Sequence, residues 1–129
     1  MFKVIMYTSS SEVENVDLNE LISDARVINQ ECGVSGFFLC HINGFVQVLE
    51  GQEEVVSGIM NRILKDTRHR DITVKVNEYI EQRLFPNWAM GLITVNDISA
   101  FFNEVNDLSN SMEVIYKYRD LVTQPNVLL

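Results

Sequence analysis

The amino-terminal segment has the pattern of a strand that is buried on both sides. Residues 2–8 are rich in β-branched and aromatic side chains. Alternation along a strand divides these side chains into two apolar faces, formed by Phe2, Val4 and Met6 on one side and by Ile5 and Tyr7 on the other. Because both faces need apolar cover, the pattern predicts a central strand over residues 2–8.

Two later segments repeat apolar residues at helical spacing. Apolar side chains three or four positions apart predict a first helix over residues 18–31, which Gly33 ends. A second helix is predicted over residues 52–65, with an apolar stripe formed by Val55, Val56, Ile59, Ile63 and Leu64. Each helix therefore has one face that must pack against a sheet.

Four more strands are predicted around the second helix. An Asn-Gly pair joins residues 36–40 to residues 45–50, and this dipeptide favours the positive φ angles of a tight hairpin. Two further runs with strand character cover residues 72–80 and 88–95. The second and third strands should therefore pair antiparallel, and the last two should extend the same sheet.

The order β-α-β-β-α-β-β predicts an α+β fold, a ferredoxin-like βαββαββ sandwich. The two helices should cover one face of the sheet and leave a crevice between them above the central strands. Two amphipathic patterns after residue 96 predict helices that cover the other face, unless a partner subunit covers it. The chain is accordingly divided into a core, residues 1–96, and a C-terminal helical extension, residues 97–129.

Composition narrows the class of protein. The 129 residues include 10 Lys and Arg against 18 Asp and Glu, which gives a net charge of −8. This charge disfavours direct binding to nucleic acid or to an anionic membrane, and no apolar run is long enough to span a bilayer. Cys32 and Cys40 are too few for a disulfide framework or a metal cluster. We therefore expect a reduced, cytoplasmic, single-domain protein.

Gln47 is the most informative polar residue. It lies in mid-strand between Phe45 and Leu49, on a face that is predicted to be buried. A buried amide without hydrogen-bond partners costs about 1–3 kcal/mol. A glutamine on an exposed edge strand is the alternative, but the surrounding FVQVLEG favours a central strand. Gln47 is therefore predicted to meet a polar ligand or a neighbouring tyrosine.

Other polar residues have an ordinary structural explanation beside the functional one. Tyr7 could pack with its hydroxyl in water, and Asn29 could cap the first helix or present its amide to the crevice. Arg68 and His69 could bind an anion or a carbonyl oxygen. A solvated basic turn, favoured by the helix dipole, would also explain them.

The remaining residues do not indicate conventional catalysis. Trp88 and Met90 share one face of the last strand, where packing is the usual role. No metal site is expected, since His41 and His69 lack ligand spacing. The sequence contains no nucleotide-binding glycine loop, zinc-protease motif or nucleophile elbow. The acidic residues are predicted at loop or helix surfaces, and among them are Glu12, Glu14, Glu50, Glu53 and Glu54.

Several separated features together resemble one known family. Tyr7, Asn29, the stretch GFVQVLEG, the turn DTRHRD and the stretch FPNWAM have the order and spacing of the BLUF domain, a blue-light sensor that uses FAD. The resemblance covers about residues 2–95. It implies a βαββαββ sandwich with the flavin ring between the two helices, and it makes residues 1–96 the flavin-binding core.

The resemblance implies roles in the flavin site. Tyr7 matches the tyrosine that excited flavin oxidises, and Gln47 matches the glutamine whose hydrogen bonds rearrange in the lit state. Asn29 is similar to the asparagine that holds the polar edge of the ring. Arg68 and His69 match the pair that lines the flavin site.

The resemblance also implies a route for the signal. Trp88 and Met90 match fifth-strand residues that change position and pass the signal outward, through the C-terminal helices, to a protein effector or regulator. Apolar faces in the extension favour a homo-oligomer. Position 28, often polar in the family, is Ile28, so one flavin hydrogen bond is expected to be absent.

Two other functions remain open from the sequence. A flavin-free ferredoxin-like interaction module would give a colourless protein that takes up no FAD. A small flavin-dependent enzyme would need a substrate site beside the cofactor, and the sequence shows none. The leading hypothesis is a light sensor that is not itself an enzyme.

Overall fold

The computed structural model describes residues 1–10, 18–41, 44–67, 70–85, 91–92 and 112–116. The elements follow the predicted order: β1 (Phe2–Ser10), α1 (Leu18–Cys32), β2 (Ser35–His41), β3 (Gly44–Gln52), α2 (Glu53–Leu64), β4 (Arg70–Ile80) and β5 (Gly91–Leu92). Residues 112–116 form a further helical segment, which we call the C-terminal helix. The bounds of the first six elements differ from the predicted ones by two residues or fewer. None of the described helices is long and apolar enough to cross a membrane.

The strands form one sheet in the order β4-β1-β3-β2-β5. β1 lies between β3 and β4 and is antiparallel to both, which confirms that it is a central strand. β2 and β3 pair antiparallel as the Asn-Gly dipeptide predicts, and β5 adds to β2 in parallel. This arrangement is the ferredoxin-like α+β fold predicted from the sequence.

The sheet carries a hydrophobic cluster on each face. On one face, Ile5, Tyr7 and Leu49 pack with side chains from both α1 and α2; we call it the helix face. On the other face, Val4 and Met6 of β1 belong to a second cluster that includes Val114 and Ile115 of the C-terminal helix. The predicted cover of this second face is therefore confirmed for the part of the extension that the structure describes.

A glycine cap ends α1 where it meets the sheet. Gly33 adopts a φ of +69°, in the left-handed region that favours glycine. The Val34 N–H then donates a hydrogen bond to the Asn29 carbonyl oxygen at 2.8 Å. This bond and the left-handed residue are features of a Schellman motif. The cap fixes the last turn of α1, which carries Asn29, against the start of β2.

Candidate functional site

The pairing of β1 with β3 brings Tyr7 and Gln47 directly opposite each other. Both side chains are buried, with exposed fractions of 2% for Tyr7 and 5% for Gln47. The Tyr7 hydroxyl donates a hydrogen bond to Gln47 Oε1. Tyr7 belongs to the cluster on the helix face, so the pair lies beneath α1 and α2. The prediction that Gln47 is buried beside a tyrosine is therefore confirmed.

Electrostatics keep the Tyr7 phenol protonated. Burial raises the pKa of Tyr7 above the ordinary value of a tyrosine, and the negative charge of Asp66 raises it further. Both effects disfavour the phenolate because it is an anion in a site of low polarity near another anion. Tyr7 therefore keeps the O–H group that it donates to Gln47 Oε1.

α1 contributes a buried amide to the same side of the sheet. The side chain of Asn29 is 1% exposed. Ala25, one turn earlier on α1, packs against the cluster on the helix face, as does Ile28. Residues four apart share a helix face, so Asn29 is directed to the sheet as well. The side chain of Ile28 has no polar atom, so this position offers apolar contact alone.

A buried hydroxyl on β1 has no hydrogen-bond partner among the described residues. Ser9 lies two residues after Tyr7 and therefore on the same face of β1, and it is 7% exposed. Its Oγ is the atom without a partner. The predicted strand ends at residue 8, whereas β1 continues to Ser10 and includes this serine. A polar ligand atom at this end of β1 would satisfy the hydroxyl.

Four predicted site residues lie outside the described residues: Arg68, His69, Trp88 and Met90. The described turn before them ends at residue 67, and the described segment after β4 ends at residue 85. Their roles stay predictions from the family resemblance. The structure brings together Tyr7 and Gln47 and places Asn29 on the same side of the sheet.

The prediction of a surface position for Glu50 is wrong. Glu50 is 0% exposed and belongs to β3. Val46 and Val48 are buried on the same face of this strand, so alternation alone would have placed Glu50 in the core. A surface position was predicted because the side chain is charged, although the alternation favours the core. The physical reason for its burial is that its carboxylate accepts hydrogen bonds from β2 and from the segment after β4.

The profile of one protein family, described as sensors of blue-light using FAD, matches residues 2–91. The chain belongs to the BLUF family. Photoactivated adenylate cyclase subunit beta of Euglena gracilis is 31% identical over 91 residues, which cover 69% of this chain and 10% of that protein. The blue light- and temperature-regulated antirepressor BluF of Escherichia coli (strain K12) is 35% identical over 75 residues, covering 58% of this chain and 19% of that protein.

Solved structures agree with this membership. The photo-activated state of BlsA matches with a TM-score of 0.79 at 26% identity, covering 95% of this chain and 96% of BlsA. The dark state of the BLUF protein BlrB matches with a TM-score of 0.76 at 24% identity, which supports the fold. The chain thus spans nearly all of BlsA but only about a tenth of the length of the cyclase subunit.

BLUF domains sense blue light with FAD, so this chain is a flavin-based light sensor rather than a flavin-free interaction module. The residues on the helix face fit that cofactor. The edge of a flavin ring carries both donors and acceptors, and the buried amides of Gln47 and Asn29 offer both. The Ser9 hydroxyl, which has no hydrogen-bond partner in the described part of the chain, adds a further polar group on the same face. The apolar side chains around them suit the flat faces of the ring.

Proposed function

We propose that Tyr7 and Gln47 are the photochemical pair of this sensor. The observation that carries the proposal is the buried hydrogen bond from the Tyr7 hydroxyl to Gln47 Oε1. FAD, when bound, supplies the absorption of blue light and an excited state that accepts an electron. Tyr7 gives up an electron together with its phenolic proton, and the proton leaves along the hydrogen bond to Gln47 Oε1.

Gln47 then changes its hydrogen bonds. In the structure the Gln47 oxygen accepts from Tyr7, so the NH₂ group is on the other side of the amide, and we assign this arrangement to the dark state. A rotated or tautomeric amide exchanges donor for acceptor toward its neighbours without a covalent bond to the protein. The electron and the proton return to Tyr7, so the phenol is restored and no net redox change remains. The site returns to its dark arrangement when the amide relaxes, which makes the response reversible.

The other matching residues hold the cofactor in this proposal. Asn29 presents its amide from the last turn of α1, and its burial supports this role. In the sequence Arg68 and His69 directly follow Asp66 and Thr67, between the segments that form α2 and β4. They would line the flavin site from that side.

We further propose that the signal leaves through β5 and residues 97–129, with residues 1–96 as the flavin core. Trp88 and Met90 immediately precede β5, which adds to β2 at the end of the sheet. The C-terminal helix packs on the face opposite the helix face, and this contact supports an output through the extension.

The receiver of the signal is proposed to be a protein effector or regulator. The similarity to a region of a photoactivated cyclase subunit supports a sensor that acts on an effector. We propose that this chain has no catalytic role of its own, that it is cytoplasmic, and that it forms a homo-oligomer. Its charge of −8 is consistent with a protein partner rather than nucleic acid or a membrane.

One spectroscopic experiment tests the photochemical pair. The protein loaded with FAD should show a flavin spectrum that shifts slightly to the red under blue light and recovers in darkness. Gln47→Leu keeps the approximate size of the side chain but removes the amide, and it should abolish the reversible shift with FAD still bound. A wild-type shift in Gln47→Leu would show that the proposed pair is wrong.

A further inference from the structure

The buried carboxylate of Glu50 holds the segment that follows β4. Glu50 Oε1 accepts a hydrogen bond from the Leu84 N–H at 2.5 Å, and Oε2 accepts one from the Phe85 N–H at 2.6 Å. Both oxygens act as acceptors, as they do in an ionised carboxylate. Such charge-assisted hydrogen bonds are stronger than neutral ones. Residues 84–85 are therefore tied to β3.

Arg83 ties the same segment to the end of α1. Its guanidinium donates a hydrogen bond to the Gly33 carbonyl oxygen at 2.6 Å. Gly33 caps α1, whose last turn carries the buried amide of Asn29. The segment 83–85 is therefore hydrogen-bonded to two elements of the flavin site. Arg83 binds the end of α1, and the Leu84 and Phe85 N–H groups bind Glu50 on β3.

Ser35 joins these two attachments. It is the partner of Glu50 in the β2–β3 ladder, and its hydroxyl donates to Glu50 Oε2 at 2.7 Å. Ser35 Oγ also accepts a hydrogen bond from the Arg83 guanidinium at 3.2 Å. The three side chains therefore form one continuous hydrogen-bond network between α1, β2, β3 and the segment 83–85.

We propose that Glu50 is a positioning residue of the light response. It transmits the change at Gln47 along β3 to the segment 83–85. The inference rests on the proposed role of Gln47. Glu50 lies three residues from Gln47 on the opposite face of β3, so about 10 Å of rigid strand separates their Cα atoms. The segment 83–85 leads into the part of the chain that contains Trp88, Met90 and β5. A shift of β3 therefore moves the segment 83–85, and with it the predicted output strand.

Glu50→Gln tests the inference in the protein loaded with FAD. A glutamine has one amide oxygen, so its NH₂ group faces one of the two backbone donors and that hydrogen bond is lost. In darkness we expect hydrogen exchange at Leu84 or Phe85 to accelerate about tenfold or more. The difference in exchange at these two amides between light and darkness should vanish, while the red shift of the flavin keeps its wild-type size. Glu54→Gln, the same change at an exposed position of α2, should leave both properties unchanged.

Three results would overturn the inference and leave the proposed function standing. One is a wild-type light–dark difference at Leu84 and Phe85 in Glu50→Gln, and another is a wild-type protein without that difference. The third is loss of the red shift in Glu50→Gln with FAD bound, because Glu50 would then act on the cofactor site itself. A wild-type protein without any red shift overturns the proposed function, and this inference with it.

Arg83→Gln decides the question if Glu50→Gln does not fold. Arg83 is only half-buried, so its replacement leaves the two hydrophobic clusters intact. This variant removes the hydrogen bond to α1 but keeps the hydrogen bonds from the Leu84 and Phe85 N–H groups to Glu50, so the light–dark difference at these two amides should persist. Loss of the difference would show that the change reaches residues 83–85 through Arg83 and α1, and it would overturn the inference.

Discussion

Tyr7 and Gln47 lie directly opposite each other on β1 and β3, and a buried hydrogen bond joins the Tyr7 hydroxyl to Gln47 Oε1 although the residues are 40 positions apart in sequence. Both strands are central, with a paired neighbour on each side. Side chains on such strands are held more accurately than side chains on loops. A small change in one hydrogen bond can therefore have a defined effect on the sheet.

Tyr7→Phe keeps the ring and removes the hydroxyl. We expect no reversible red shift, because the site loses its electron and proton donor. The free energy of unfolding should fall by about 1–3 kcal/mol, because buried Gln47 Oε1 loses its donor. Light-minus-dark absorption and denaturant unfolding measure the two effects. Tyr79→Phe, on a side chain that is 56% exposed, is the matched control and should change neither quantity appreciably.

Asn29→Ala removes the buried amide from the last turn of α1. We expect the dissociation constant for FAD to rise about tenfold, which corresponds to about 1.4 kcal/mol. The reason is that the polar edge of the ring loses hydrogen bonds to the amide. Fluorescence titration with FAD measures the constant. Gln30→Ala, at the exposed neighbouring position, should bind FAD like the wild type; equal affinity of both variants would contradict a contact between Asn29 and the flavin.

The stability of the protein should fall at alkaline pH, and more steeply in the wild type than in Tyr7→Phe. Burial raises the pKa of Tyr7 in the folded state, whereas the unfolded chain releases this proton near pH 10. Above that pH the unfolded state binds fewer protons than the folded state, so rising pH favours unfolding. Below it, the contribution of Tyr7 is fully present. Denaturation midpoints across the alkaline range measure the two slopes, and equal slopes would argue against a raised pKa.

Two glycine substitutions should have opposite effects on stability. A Cβ at Gly36 would lie 1.8 Å from the backbone oxygen of Val48, in the tightly packed β2–β3 ladder. We expect Gly36→Ala to cost about 3 kcal/mol or to prevent folding, because the strands would have to separate. A Cβ at Gly58, inside α2, meets nothing within 4 Å. Gly58→Ala should therefore raise the free energy of unfolding by about 0.5–1 kcal/mol. Denaturant midpoints of the two variants measure both effects, and normal stability of Gly36→Ala would contradict the close approach.

The elements of the fold and their order could be predicted from local patterns in the sequence. Periodicity and turn residues are local signals, which is why the two apolar faces of β1 and the hairpin between β2 and β3 were predicted with bounds within two residues. The buried position of Gln47 followed from the same alternation. Candidate residues of the flavin site followed from the spacing of several motifs that resemble the BLUF family.

The contacts between polar groups depend on the tertiary fold. The bond between Tyr7 and Gln47 depends on the register of β1 against β3, which brings distant residues together. Glu50 is buried because donors from β2 and from the segment after β4 satisfy its carboxylate. No local pattern contains those donors, so its charge alone predicted a surface position. Burial of a polar side chain depends on partners that other segments supply, and those partners exist only once the chain is folded.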